Sequence, residues 1–338
     1  VGGRSVHAAW QEEPEYRPDA RGEVRNRDFF GGDLKGVLEQ LPYLQSLGVE
    51  TLYFNPIFEA AENHRYGTAD YEHVDPMLGC DADFSALCRA AHARGMRVIL
   101  DGVFNHTGFV SRYFNGDGFY PQPGAAQSRQ SPYYPWFHFQ HWPDRFDSWW
   151  GIYTLPAVNE GEDSYRDYII RGEHSIVRRW LQAGADGWRL DVADELPVDL
   201  LREMRGALKK ADPEAVLLGE VWEDASNKTA YGVPRCYCLG DTLDSVMNYP
   251  LRRAVIDFFT GGIDAGQLRR VILHQQEVYP APFYYSLMNL LGSHDRPRVL
   301  NMLAGRSGEG LNEEQKKELC LTGEEYRAAR KKLLAMFA

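Results

Sequence analysis

The sequence predicts an α/β fold in which a parallel sheet is covered by helices. Two observations support this prediction: amphipathic helices that end at glycine alternate with short strands, and those strands are apolar on both faces. We count six such strands, two fewer than a closed eight-stranded barrel needs and within the range of an open doubly wound sheet. Because no glycine-rich phosphate loop follows any strand, the nucleotide-binding form of the open sheet has no support.

The predicted elements follow one another in a regular order. The first helix, DLKGVLEQLPYLQSLG, begins at the N-cap Asp33, ends at Gly48 and precedes the strand VETLYFNPIF. The pattern returns from Asp81 to Gly95, before the strand MRVILDGVFNH, and from about Asp163 to Gly184, before the strand ADGWRLDVADEL. The remaining elements are the helix PVDLLREMRGALKKADP, the strands AVLLGEVW and DSVMNY, one or two helices between Leu251 and Glu277, the strand FYYSLMNLLGSHD and the final helix EEYRAARKKLLAMFA.

Composition excludes several classes of protein. The 338 residues are 44% hydrophobic and 25% charged, as in ordinary globular proteins. No apolar run is long enough to span a membrane, and the start VGGRSVHAAW does not resemble a signal peptide. A net charge of -11 without a Lys/Arg run argues against nucleic acid as a partner. The five cysteines match neither a zinc site nor a disulfide framework, so we expect free thiols in a reducing, cytoplasmic location.

One interval interrupts the alternation of helices and strands. After Asn105 and His106, no helix is predicted until about Asp163, and a structureless loop of that length is uncommon in a compact domain. The interval includes Tyr133 to Tyr153, which is dense in aromatic side chains. We therefore expect a small inserted subdomain, whose rings form a core, a partner surface or a platform for flat ligands such as sugars.

Acidic residues stand at the predicted carboxyl ends of four strands: Asp101, Asp191, Glu220 and Asp295. In a barrel of alternating strands and helices the loops at that end converge, so four carboxylates would face one mouth. A single acid there is better explained as a helix N-cap or an ion-pair partner. Four like charges in one cleft raise each other's pKa, and a fold tolerates them mainly where chemistry or a metal needs them. A magnesium cluster lacks the phosphate cradle that usually accompanies it.

Local context assigns different roles to these acids. Arg189 and Asp191 are two residues apart on one strand and share a face, so the guanidinium should favour the ionised carboxylate that a nucleophile needs. Apolar neighbours should raise the pKa of Glu220, which suits a general acid. His106 and His294 are placed to bind substrate hydroxyls, although a histidine in such a position is as often structural. An ionised acid, a protonated acid and nearby aromatic faces are what glycoside hydrolysis requires.

Four segments carry a family resemblance. DGVFNH, GWRLDVADEL, GEVWEDAS and LLGSHDRPR resemble, in order and spacing, the four conserved regions of the alpha-amylase family, glycoside hydrolase family thirteen. NHRYGTADYEHVDPMLG and WWGIYTLPAVN resemble the neopullulanase, cyclomaltodextrinase and maltogenic amylase branch. The resemblance implies a TIM (β/α)8 barrel formed by residues 1–106 and 161–338, with domain B inserted at 107–160 after strand 3. The family's first and eighth strands would lie before Val1 and after Ala338, so we expect an excerpt of a longer protein, flanked by a β-sandwich and a small β domain.

The resemblance also implies the site and its chemistry. Asp191 matches the nucleophile, Glu220 the acid/base and Asp295 the third carboxylate of a retaining hydrolase. The substrate would be an alpha-glucan with α-1,4 bonds, such as maltodextrins, cyclodextrins or pullulan, and transglycosylation and a homodimer are also implied. Residues that match substrate-binding or supporting positions are His64, Tyr66, Asp101, Asn105, His106, Arg189, Trp222, His294 and Arg298. Gly67 stands where the branch usually has an acidic residue, a change that would loosen the wall beside Tyr66.

Two other functions stay open at this point, and so does the question of a metal. A non-catalytic amylase-like protein would bind a glucan or a protein partner, but such proteins generally lose one of the three carboxylates, and none is lost here. An inactive fragment of the enzyme is the other alternative. No cofactor is required, because the chemistry needs only carboxylates. Gly31 and Asp33 in FFGGDLKG resemble part of a calcium loop, although a helix N-cap is the plainer interpretation of Asp33.

Overall fold

The computed structural model describes residues 4–18 and 24–337. Contacts between these residues divide the chain into two compact units. The first contains the described residues up to Glu220 together with Asp241–Leu243, and the second contains Val221–Gly240 and the described residues from Asp244 onward. None of the helices within these described ranges is long and apolar enough to span a membrane.

A parallel sheet runs through the first unit. Its four strands lie side by side in chain order: Thr51–Phe54, Arg97–Gly102, Gly187–Leu190 and Val216–Gly219. Leu100 and Leu217 pair with Trp188 from either side, and every residue of the strand Gly187–Leu190 is buried. Burial on both faces is typical of a parallel sheet covered by helices. The prediction of these four strands is confirmed.

The helices of the first unit follow the predicted order, with one break. Their bounds are Leu34–Ser46, Asp81–His92, Asp163–Arg166, Ile176–Ala183 and Val198–Ala211. The single helix predicted from Asp163 to Gly184 is wrong. Asp167–Arg171 forms a wider π-helical turn, in which the Gly172 N–H donates to the Asp167 carbonyl at 2.8 Å, and Gly172 then leaves the helical conformation.

Residues 107–160 contain only short elements. These are the 3₁₀ turns Tyr134–Trp136 and Trp149–Gly151 and an antiparallel pair, Phe139–His141 with Arg145–Phe146. The segment is held largely by its rings: the Phe114 centroid lies 5.0 Å from that of Phe137 and 4.6 Å from that of Phe146. These contacts agree with a subdomain that has an aromatic core of its own, and its boundaries at 107 and 160 stay a prediction.

A hairpin next to the central sheet carries two candidate site residues. The strands Phe58–Ala60 and Thr68–Val74 pair antiparallel, and His64 and Tyr66 lie in the loop between them. The Gly108 N–H donates to the Thr68 carbonyl at 2.9 Å, which ties the hairpin to the start of the aromatic segment. This unit also contains a short parallel pair, Ser5–Val6 with Asp28–Phe29.

The second unit is mainly helical. Its helices are Tyr249–Thr260, Ala265–Val278, Ala281–Ser286, Val299–Leu303, Glu313–Lys316 and Gly323–Met336, and its short strands are Thr229–Ala230, Val233–Pro234 and Ser245–Val246. The strand predicted for FYYSLMNLLGSHD is wrong, because Ala281–Ser286 is helical and only Met288 forms a bridge, to Met247. Proline in the first turn favours the helix there, since its missing N–H would be unpaired in any case.

Candidate active site

The centre of the candidate site is Arg189, which lies on the strand Gly187–Leu190 with its side chain fully buried. Its Nη1 donates to Asp101 Oδ1 at 2.7 Å, to Asp101 Oδ2 at 3.0 Å and to Asp191 Oδ1 at 2.9 Å. The sheet register explains this contact, because Asp101 pairs directly with Arg189, and Asp191 comes two residues after Arg189, directly beyond the end of the strand. The predicted contact between Arg189 and Asp191 is therefore present.

Glu220 reaches the same guanidinium from the next strand. It directly follows the strand Val216–Gly219, and its Oε2 lies 2.8 Å from Arg189 Nη2, close enough for an ion pair but without hydrogen-bond alignment. The same oxygen accepts from the Val192 N–H at 2.9 Å. Glu220 is only 4% exposed. The purely apolar surroundings expected for Glu220 are thus wrong, because a buried cation and a backbone donor both contact it.

The direction of the pKa shift of Asp191 also differs from the expectation. Burial raises the pKa of Asp191 well above its ordinary value, the guanidinium of Arg189 opposes this effect, and the charges of Asp101 and Glu220 raise the pKa further. The expected lowering of this pKa rests on Arg189 alone. In the structure one guanidinium faces three carboxylates, so the charges of Asp101 and Glu220 act on Asp191 together with its burial.

Val192 has a backbone conformation that favours glycine. Its φ of 39° and ψ of 59° are left-handed, which is uncommon for a β-branched side chain. This conformation turns the Val192 N–H toward Glu220. Strain of this kind is found where the surrounding structure fixes a functional geometry. A valine gives no sequence signal for a left-handed backbone, so Val192 was not predicted as a site residue.

Two tyrosine hydroxyls complete the surroundings of Asp101. Tyr53 donates to Asp101 Oδ2 at 2.7 Å and Tyr66 donates to the same oxygen at 2.8 Å. Burial raises the pKa of both tyrosines, so both hydroxyls keep their protons and act as donors. Tyr66 was predicted, whereas Tyr53 was missed. Strand alternation could have found Tyr53, because it pairs with Ile99, two residues before Asp101, and so shares its face.

His106 and His64 both contact Tyr66. His106 is buried, which lowers its pKa to about 4, so the ring is neutral at neutral pH. Its Nε2 lies 3.1 Å from the Tyr66 carbonyl, which can only accept, so Nε2 carries the proton and Nδ1 keeps its lone pair. His64 Nδ1 accepts from the Tyr66 N–H at 3.0 Å, and the two rings stack 6.0 Å apart. The predicted neighbourhood of His64, Tyr66 and His106 is present.

Gly67 does not leave the wall open. A Cβ atom at this position would lie 2.6 Å from Glu62 Oε2 and 3.5 Å from the Gly108 Cα. The carboxylate of Glu62 therefore fills the space beside Gly67, and the expectation of a loosened wall is wrong. Burial raises the pKa of Glu62.

The predicted residues Trp222, His294, Asp295 and Arg298 belong to the second unit. The Trp222 ring stacks on Tyr249, with centroids 4.5 Å apart, and the guanidinium of Arg296 lies 4.2 Å from the Trp222 centroid. His294 Nε2 lies 3.2 Å from Asp295 Oδ2. Asp295 is in a turn and not at the end of a strand, which corrects the prediction. His294, Asp295 and Arg298 together line a cavity of about 940 Å³.

Metal ligation has little support in the described ranges. Asp33 Oδ1 accepts from the Gly36 N–H at 2.7 Å, which is the N-cap role, and calcium binding at this loop stays an untested prediction. Asp70, Glu72 and His73 have ligand atoms close enough to hold an ion. However, Arg112 Nη1 already lies 3.0 Å from Asp70 and 3.5 Å from Glu72, so a guanidinium supplies the positive charge there.

Buried carboxylates at the carboxyl ends of neighbouring parallel strands, held on one guanidinium, define the class of protein. In α/β barrels the active site lies at this end of the strands, and glycoside hydrolysis is a reaction that uses a pair of carboxylates. The chain belongs to the alpha-amylase family: the pattern described as alpha amylase, catalytic domain, matches residues 11–323. The expected fold class is thereby confirmed, while the absence of the first and eighth strands stays a prediction.

Individual relatives are similar over most of this chain. It is 40% identical over 355 aligned positions to an amylopullulanase of Thermoanaerobacter thermohydrosulfuricus, covering 93% of this chain and 23% of that protein. It is 38% identical to neopullulanase 2 of Thermoactinomyces vulgaris, covering 87% of this chain and 48% of that protein. The type III pullulan hydrolase from Thermococcus kodakarensis superposes with a TM-score of 0.78 at 32% identity, covering 90% of this chain and 50% of that chain. The chain thus spans about a quarter to a half of these relatives.

Proposed function

We propose that this chain is the catalytic part of a retaining α-glucan hydrolase that cleaves α-1,4-glucosidic bonds. The observation that carries the proposal is the sharing of Arg189 by Asp191 and Glu220, both buried, at 2.9 and 2.8 Å. Two carboxylates on one guanidinium favour the short separation of retaining enzymes, about 5–5.5 Å, over the about 6.5–9.5 Å that leaves room for a water molecule in inverting enzymes.

In the first step, a carboxylate oxygen of Asp191 attacks C1 of the glucose unit while the bond from C1 to the bridging oxygen breaks. Glu220 gives its proton to that oxygen, so the leaving sugar departs neutral. The hydroxyls of Tyr53 and Tyr66 and the Nη1 of Arg189 hold Asp101, which in turn fixes the guanidinium beside Asp191. These residues position the nucleophile.

In the second step, Glu220 takes a proton from water, the hydroxide attacks C1, and the bond from C1 to Asp191 breaks. Both carboxylates return to their initial states, and the anomeric configuration is retained. A sugar hydroxyl in place of water would give transglycosylation. Asp295, which matches the family's third carboxylate, would bind sugar hydroxyls.

The substrate class is inferred from the names of relatives. These include amylopullulanase, neopullulanase, cyclomaltodextrinase and maltogenic alpha-amylase. We therefore propose maltodextrins, cyclodextrins and pullulan as substrates of the protein that contains this chain. The cytoplasmic location and the homodimer expected from the sequence stay predictions.

The test compares the full-length protein with Glu220→Gln on maltoheptaose, β-cyclodextrin and pullulan. Removing the proton donor should lower kcat by about 10³-fold or more, since general acid catalysis acts together with the nucleophile. Glu223→Gln is the matched control, because Glu223 is exposed and pairs with Lys228. Hydrolysis equal to that of the wild type in Glu220→Gln would overturn the assignment. NMR of the first product should find the α-anomer, and a β-anomer would overturn the retaining mechanism.

A further inference from the structure

Trp150 has an unusual combination of exposure and backbone strain. Its side chain is large and apolar, yet the residue is 74% exposed. Its backbone is left-handed, with φ of 50° and ψ of 27°, which is uncommon for any residue with a bulky side chain. An exposed indole contributes little hydrophobic stabilisation to the fold, and the left-handed backbone conformation costs free energy. Such a position calls for a reason other than stability.

The exposed ring is nevertheless held in a fixed orientation. One face of Trp150 stacks on Trp149, with centroids 4.9 Å apart and planes 12° from parallel. The indole Nε1 donates to Glu195 Oε1 at 3.0 Å. A stacked face and an anchored N–H leave the opposite face of Trp150 open to solvent. The Trp150 side chain thus presents a rigid, flat and apolar surface. Its conformational entropy is already reduced before any ligand binds.

Both anchors connect Trp150 to the candidate active site. The ring of Trp149 lies 5.4 Å from that of His106. Glu195 ends the 3₁₀ turn Ala193–Glu195, which begins two residues after Asp191. The Ala193 N–H donates to the Glu220 carbonyl at 3.2 Å. The open face of Trp150 is therefore fixed to His106 by way of Trp149 and, through Glu195, to the turn that follows the proposed nucleophile.

We propose that Trp150 is a stacking platform for a glucose unit of the α-glucan, away from the bond to be cleaved. The C–H face of a pyranose ring matches an open indole face in size and polarity, and water is released from both when they meet. Trp150 would then set the preference for longer substrates over shorter ones. This inference rests on the proposed α-glucan function and adds a specificity-determining residue to it.

The experiment measures binding by calorimetry in full-length protein that carries Glu220→Gln, so that the ligand is not consumed. Maltoheptaose and maltotriose are the ligands. Adding Trp150→Ala should weaken the Kd for maltoheptaose by about tenfold and that for maltotriose less, while Trp150→Phe should recover most of the affinity because a flat ring remains. In the otherwise wild-type protein, Trp150→Ala should raise KM for maltoheptaose more than it lowers kcat.

Trp10→Ala is the matched control, because Trp10 is 76% exposed and packs beside Phe30 and not beside a site residue. Unchanged affinity for maltoheptaose in Trp150→Ala, or an equal loss in Trp10→Ala, would overturn the inference. If the variant melts at a lower temperature, acrylamide quenching of tryptophan fluorescence decides the question. Maltoheptaose should protect the Glu220→Gln protein more than the Glu220→Gln protein that also carries Trp150→Phe, and equal protection would count against the inference. If the wild type hydrolyses maltoheptaose and these effects are absent, only this inference fails. If it neither hydrolyses nor binds any glucan, the proposed function fails too.

Discussion

Arg189 donates from one nitrogen to both oxygens of Asp101, at 2.7 and 3.0 Å, and both side chains are completely buried. The same guanidinium contacts Asp191 and Glu220. Removing one partner of a buried ion pair is costly, because the charge that remains keeps its desolvation penalty and loses its compensation. In this network, three carboxylates depend on a single cation.

Arg189→Ala should therefore destabilise the protein by about 3–5 kcal/mol and abolish turnover. Arg189→Lys should lose most of the activity as well, because one ammonium group cannot match the planar fork that contacts three carboxylates. Urea unfolding and kcat measurements check both results. Arg97→Ala is the control: Arg97 pairs with Asp186 at 2.9 Å but is largely exposed, so about 0.2–1 kcal/mol is expected. Equal unfolding midpoints for Arg189→Ala and Arg97→Ala would contradict the central role of Arg189.

The positions of Asp101, Asp191 and Glu220 could be predicted because each follows from local information. An apolar run identifies the strand, and the acid at its carboxyl end is then placed by the geometry of a parallel sheet. The raised pKa of Asp191 could not be predicted, because it depends on how many carboxylates surround Arg189. Those carboxylates belong to residues in or directly after three different strands.

Other errors have a similar origin. The segment FYYSLMN is apolar and aromatic, so its residues suit a buried strand as well as a helix. Pro282, directly before it in the first turn of the helix Ala281–Ser286, favours the helix. The left-handed backbone of Val192 follows from the tertiary contact with Glu220, not from its own preference. The space beside Gly67 is filled by Glu62, five positions earlier, and only the fold of the hairpin loop brings them together.

Tyr53→Phe tests the support of Asp101. The substitution removes one hydroxyl donor from a carboxylate that is 1% exposed, so a loss of about 1.5–3 kcal/mol is expected. Because Tyr53 acts through Asp101 and Arg189, kcat should fall while KM changes little. Thermal unfolding and steady-state kinetics measure the two effects. Tyr43→Phe, at an exposed helical position, should change stability by less than about 0.5 kcal/mol. A change in KM with an unchanged kcat would argue against a positioning role for Tyr53.

Glu160 should make stability depend on pH. Burial, together with the nearby charge of Glu195, raises its pKa from 4.5 to about 7. The unfolded state loses this proton first, so the stabilisation is complete below about pH 4.5, decreases as the pH rises and is lost above about pH 7. Glu160→Gln cannot ionise, so it should be more stable than the wild type by about 2–3 kcal/mol at pH 8 and equal to it near pH 4.5.

Urea unfolding of the wild type and Glu160→Gln at several pH values checks this prediction. The difference between the two proteins is the quantity to follow, because other groups titrate in both. Glu173→Gln, at an exposed position, provides the control and should track the wild type throughout. A difference that stays constant from pH 4.5 to 8 would mean that Glu160 does not titrate in this range.

Gly108→Ala tests the junction between the hairpin and the aromatic segment. A Cβ atom at Gly108 would lie 2.5 Å from the Gly67 carbonyl oxygen, and that neighbour is backbone and cannot rotate away. The two segments would have to separate and strain the hydrogen bond from Gly108 to Thr68. We expect a loss of about 2–4 kcal/mol and reduced activity, because His106 and Tyr66 lie on the two segments that would move apart.

Gly206→Ala is the opposite case and the control. Gly206 lies within the helix Val198–Ala211, and nothing stands within 4 Å of the Cβ that alanine would add. Alanine lowers the entropy of the unfolded chain and favours the helix, so this variant should gain about 0.5–1 kcal/mol and keep its activity. Thermal unfolding of both variants measures the contrast. Equal melting temperatures would mean that the close approach of Gly108 to Gly67 does not constrain the fold, because the same chemical change would then have the same effect in a tight contact and in open space.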